Sequence, residues 1–151
     1  MKKIALLAIL FSTSCATTKR VDLLKASENG YTINLNSKPI NIKEIYLDRN
    51  NISNISKNRK LKIIDLTQKN VKSAFPYLSQ ITTIKGTEKT NIIPGEINVV
   101  VIDGEPIESE NFNKVQIEVS SIKTINFVKI DSSYTFCRIL DNIVLIQTNA
   151  H

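Results

Sequence analysis

The chain has 151 residues, with twenty Lys and Arg against fourteen Asp and Glu, two cysteines, four glycines and a single histidine, His151. One histidine argues against a His-based triad or His metal cluster, and four glycines leave little room for a Gly-rich phosphate cradle. Eight basic residues stand against three acidic ones over 30 to 70, and four against eight over 96 to 151. That split argues against a nucleic-acid surface, which needs a basic stripe interleaved with aromatics, and for attraction between the two halves or between two chains.

The first segment, MKKIALLAILFSTSC, has two lysines, an apolar run from Ile4 to Phe11, then small polar residues up to Cys15. These are the three parts of a secretory signal peptide, expected over 1–14. A run this short rises only about 12 Å as a helix, against roughly 30 Å of bilayer core, so it is too short to span. Ser12, Thr13 and Ser14 ahead of Cys15 resemble the lipobox of bacterial lipoproteins, in which Cys15 is acylated and becomes the new N-terminus. Ser12 stands where leucine is usual, and Ser14-Cys15-Ala16 also fits ordinary cleavage after Ala16. Without Lys2 and Lys3, eighteen basic residues face fourteen acidic ones, a net +4. Either cleavage leaves Cys137 without an internal disulfide partner, and its place between Phe136 and Arg138 reads as a buried thiol.

Residues 15–29 read as a tether carrying a lipid on Cys15. Two similar halves follow, over 30–70 and 96–151. INLNSKPI (33 to 40) lies on VVIDGEPI (100 to 107), and YLDRNNISNI (46 to 55) lies on QIEVSSIKTI (116 to 125). Each half closes on an apolar run, LKIIDLTQ (61 to 68) or NIVLIQT (142 to 148). Each reads as strand, short helical turn, strand, gap, strand. Residues 71–95 form a connector, in which Leu78 to Ile84 reads as an added edge strand. Lys57, Arg59, Lys60 and Lys62 read as a solvated loop between strands.

In the second half, Val99 to Ile102 is a strand stopped by Asp103-Gly104, because glycine accepts positive φ and aspartate caps turns. Pro106 then removes a ladder donor. Ser109 is placed to cap a short helix holding Phe112, Val115 and Gln116, and Ser120-Ser121 to cap the turn before Ile122. Thr124 to Ile130 reads as a strand of the sheet interior. Asp141-Asn142 supplies the turn into a last strand from Ile143 to Ile146. The expected fold class is α+β: two β-α-β-β halves packed as one small domain with a mixed sheet and short helices.

VVVIDGEPI, VQIEVSSIKTINFVK and CRILDNIVLIQT together resemble the plug domain of TonB-dependent outer-membrane receptors, in the form used for nutrient uptake by Bacteroidetes. Ile102, Asp103, Gly104 and Pro106 match its Ile-Asp-Gly-x-Pro. Ser120, Ser121, Ile122 and Ile125 match a polar pair before Ile-x-x-Ile, and Val128 and Lys129 match a strand bearing a lysine. Arg138, Ile143 to Ile146 and Thr148 match its closing strand. Phe136, Ile139 and Asn142 stand where the family has loop glycines, and the first half keeps only the outline, without the Asp-Gly turn. The receptor barrel itself, about 22 strands of roughly 9 to 11 residues, needs at least about 200 residues, more than this chain has. The resemblance therefore implies a plug-like binding domain without its barrel.

Asp103, Gly104 and Pro106, with Asp141 and Asn142, are read as structural turn residues and none as catalytic. Glu105, Glu108 and Glu110 read as solvated acids rather than a cation site. No metal, cofactor or catalytic residue is assigned, and the chain is expected not to be an enzyme. The expected function is a non-catalytic lipoprotein on the periplasmic face of the outer membrane, anchored through Cys15. Its expected partner is an envelope protein, with an outer-membrane receptor as one candidate, and not nucleic acid. The alternative is a secreted or periplasmic small-ligand binder without a lipid anchor.

Overall fold

The computed structural model describes residues 19–82, 97–129 and 142–150. The expected signal peptide, Cys15, Cys137, Asp141 and His151 lie outside the described residues. The fold is α+β.

A nine-residue helix, α1 (Arg20–Glu28), comes first. Its first turn is tied by the Asp22 carboxylate accepting from the Lys19 N–H at 3.3 Å. At its end the Asn29 side chain donates to the Lys25 carbonyl at 2.8 Å, and Gly30 takes φ +80° beyond it, the usual glycine stop after a helix. The expected tether over 15–29 is thus corrected from Arg20 onward. Arg20 and Leu23 are buried, and Leu23 packs in the core of the first half.

The first half then builds β1 (Thr32–Leu35), β2 (Lys38–Ile40), β3 (Ile45–Tyr46), a 3-10 turn (Arg49–Asn51), β4 (Ile52–Asn58) and β5 (Ile63–Gln68). A short helix, α2 (Leu78–Thr82), stands where an edge strand was expected. Leu78 and Ile81, three residues apart, both bury in the second core, a spacing that favours a helical turn over an extended one. The second half builds β6 (Val99–Ile102), β7 (Glu105–Glu108), a 3-10 turn (Ser109–Asn111), β8 (Gln116–Ile117), another 3-10 turn (Val119–Ser121), β9 (Ile122–Lys129) and β10 (Asn142–Thr148).

The halves have the same topology. The first sheet runs β2-β1-β5-β4 and the second β7-β6-β10-β9. In each, the central pair is parallel and both flanking pairs are antiparallel. Even the irregularities coincide. The register slips between Ile52 and Asn54 in β4, and β9 slips against β10 between Gln147 and Thr148, where Thr148 pairs with Ile122 and Gln147 with Thr124. Each slip leaves one residue, Ser53 or Lys123, bulged at the same point of the fold.

Four further expectations change. The chain after the Asp-Gly turn forms an edge strand, so each half opens with a β-hairpin rather than a strand and helical turn. Pro39 and Pro106 lie in the edge strands β2 and β7, where a missing N–H leaves no ladder bond unmade. β9, read as interior, is the end strand of its sheet among the described residues, because β6 and β10 occupy the centre as parallel neighbours. Asn142, read as a turn residue, opens β10 opposite Lys129. Ser109 starts a 3-10 turn rather than capping a helix through Val115, and Gln116 belongs to β8.

Candidate functional site

The Asp103-Gly104 corner ties three strands together. Asp103 has φ +52° and Gly104 φ +91°, the pair of left-handed residues that a tight hairpin turn requires. The Asp103 N–H donates to the Ile146 carbonyl at 2.9 Å. Its carboxylate accepts from the Thr148 N–H at 2.8 Å and from the Thr148 hydroxyl. Asp103 therefore closes the β6-β7 hairpin and fastens it to the end of β10.

The first half repeats this corner with different residues. Asn36 and Ser37 have φ +49° and +66°. The Asn36 N–H donates to the Leu66 carbonyl at 2.8 Å, and its side-chain oxygen accepts from the Gln68 N–H at 3.0 Å. The Asp-Gly turn that is missing from the first half in sequence is present there in shape.

The two halves meet where β3 pairs with β8 in parallel. Gln116 and Glu118 N–H groups donate to the Glu44 and Tyr46 carbonyls at 2.7 and 2.8 Å. Glu118 is fully buried, and its carboxylate reaches into the first half. One oxygen accepts from the Asp48 N–H at 2.6 Å, the other from the Asn51 and Gln68 side-chain amides at 2.5 and 2.8 Å. Three donors make burial of such a carboxylate tolerable, since bonds to an ionised acceptor are stronger than neutral ones.

A second cluster crosses the same joint. Tyr46, from the first half, fills the core of the second. The Arg20 guanidinium stacks 4.0 Å from the centre of its ring and donates to the Lys43 carbonyl at 3.2 Å. Arg20 also reaches Glu105 at 3.3 Å, and the Tyr46 hydroxyl donates to the same Glu105 oxygen at 2.8 Å. Burial pushes the Tyr46 phenol well above its ordinary range. The Glu105 hydrogen bond and the charges of Glu105 and Asp103 add to that, while Arg20 opposes it.

The acids do not converge into a cation site. Glu105 pairs with Ile102 and Glu108 with Val99, so the two carboxylates leave β7 on opposite faces. Among the described residues no group of three or more His, Cys, Asp and Glu is placed to hold a metal ion. Lys57, Arg59, Lys60 and Lys62 are exposed, and the Lys57 ammonium sits 4.6 Å above the Tyr31 ring.

No protein-family model, curated protein or solved structure matches the chain. Its site must be read from its own residues. Sequence reasoning placed the Asp103 corner but missed Arg20, Tyr46 and Glu118. A signal for Glu118 was present: it is the third residue of QIEVSSIKTI, aligned with Asp48 in YLDRNNISNI, an acid kept at the same phase directly after an apolar residue.

Proposed function

We propose that the chain is a non-catalytic binding domain of the bacterial envelope. It is held at the periplasmic face of the outer membrane by a lipid on Cys15 and binds another envelope protein. The observation that carries this reading is the use made of the acidic residues at the corner and the joint. Asp103 ties strands, Asp48 caps its 3-10 turn, Glu118 links the halves, and Glu105 joins Arg20 and Tyr46. Groups spent on fixing shape favour a rigid binding body over a reaction centre. The order in the second half, an apolar strand, an Asp-Gly corner and a parallel terminal strand, supports the plug-like reading.

The test is metabolic labelling with a radiolabelled fatty acid, followed by affinity capture from envelope extracts. The proposal expects label on the wild-type chain, no label on Cys15→Ser, and recovery of an outer-membrane protein above background. Label that persists on Cys15→Ser removes the anchor. Capture of no membrane protein removes the partner.

A further inference from the structure

We propose that the tip of the β4-β5 hairpin, residues 57–62, docks on a bilayer surface rich in anionic phospholipid, its cations on the headgroup phosphates and Leu61 entering the interface. The inference does not depend on an acyl group at Cys15.

The tip reads Lys-Asn-Arg-Lys-Leu-Lys, four cations in six residues, and all six are exposed. Leu61 stands at its crest, 67% exposed, and belongs to neither core. A lone exposed leucine is ordinary on a protein surface. Here it is set between Lys60 and Lys62 with Arg59 beside them, the combination that holds a protein on a membrane surface: an apolar group at the acyl boundary and cations at the phosphates.

The crest is fixed before any contact. The Asn58 side-chain oxygen accepts from the Lys60 and Leu61 N–H groups, both at 3.1 Å. Lys62 takes φ +53°, a conformation glycine adopts more easily, and its carbonyl accepts from the Thr32 N–H at 2.9 Å. The Lys62 ammonium reaches the Asn29 carbonyl beyond α1 at 3.4 Å, and the Lys57 ammonium lies over the Tyr31 ring. A tip held this way loses little conformational freedom on docking.

Its place in the fold keeps it clear of the acidic half. β5 runs from Ile63 at the tip to Gln68, whose side chain donates to Glu118 at the joint. Five strand residues separate the two ends by about 16 Å, roughly twice the ~8 Å screening length at physiological salt. With Lys25 in the last turn of α1, the tip end of the first half has five cations against two acids, Glu28 and Asp65. Asp65 is engaged by the Asn34 amide at 2.8 Å. A soluble polyanion would satisfy the cations and leave Leu61 in water, so the bilayer fits the whole tip better.

The chain has no tryptophan, so Leu61→Trp in the full chain carrying Cys15→Ser, which blocks acylation, places a single fluorescent reporter at the crest. With vesicles of equal parts phosphatidylcholine and phosphatidylglycerol, its emission is expected to shift to the blue and to be quenched by brominated acyl chains. Both effects are expected to vanish with phosphatidylcholine alone and in high salt. Adding Arg59→Gln and Lys60→Gln, exposed positions at which the circular dichroism spectrum should stay native, is expected to weaken vesicle binding about five-fold for each cation lost. Val71→Trp, at a residue 65% exposed beyond the other end of β5, is expected to keep the emission of a tryptophan in water. No shift with the anionic vesicles, an equal shift with phosphatidylcholine alone, or an equal shift from Val71→Trp overturns the proposal. So does a folded Gln variant that binds as its parent does, and so does binding of inorganic polyphosphate while vesicles leave the Leu61→Trp emission unmoved, which would make the tip a soluble-polyanion site.

Discussion

At the scale of single residues, the acids of this chain separate by what they touch. Asp103 receives two hydrogen bonds from Thr148 and sits at positive φ. Asp103→Ala should cost about 2–3 kcal/mol in urea unfolding, from the lost acceptor and the strain of alanine in a left-handed turn. Asp103→Asn should cost less than about 1 kcal/mol, because asparagine tolerates that conformation and Asn36 already fills the equivalent role. Glu118→Gln presents an amide to donors that all need an acceptor, and should cost about 2–3 kcal/mol in the same measurement. Tyr46 carries the pH dependence. Its folded phenol titrates above the ordinary value of 10.0, so the neutral form is the one the fold favours. The stability this contributes is present below pH 10 and is lost as pH rises beyond it. Thermal melts should show a steeper alkaline loss for wild type than for Tyr46→Phe, which keeps the ring under Arg20 but cannot ionise.

At the scale of elements, turns and strands obey the same local rules in both halves, with one half better optimised. The corner of the second half has Gly104 at its second left-handed position, whereas the first half has Ser37 at φ +66°. Ser37→Gly should raise stability by about 0.5–1 kcal/mol in denaturant titration, less whatever the freer glycine adds to the unfolded chain. Period-two alternation and turn chemistry made the corner and the terminal strands legible from sequence, and the laying of INLNSKPI on VVIDGEPI coincides with the hairpin register. Helix and edge assignments were not legible. YLSQIT carries residues that suit a strand as well as a helix, and only its docking against the second core selects the helical turn. The centre of each sheet is set by long-range parallel pairing, which no local pattern in β9 announces. Arg20 fell in a segment with only one short helical turn's worth of apolar residues, so its burial under Tyr46 depends on a contact with the opposite half.

At the scale of the whole molecule, two sheet units of the same topology form one body through what crosses between them. Tyr46 fills the opposite core, β3 pairs with β8, and Glu118 bonds three groups of the first half. Each half alone would expose part of its apolar surface and strand its buried polar partners, an arrangement too small to fold well by itself. The halves differ where the molecule faces outward: polar across the first sheet, apolar across the second. The shared topology supplies the frame, and the difference between the outer faces supplies the room for distinct contacts. The most direct measurement is native-state hydrogen exchange on wild type and Glu118→Gln. If the halves form one cooperative unit, amides of β5 and β10 lose protection together, by the same free energy, although the Glu118 carboxylate bonds only groups of the first half. Loss confined to β5, with β10 as protected as in wild type, would mean two independent domains and contradict the account.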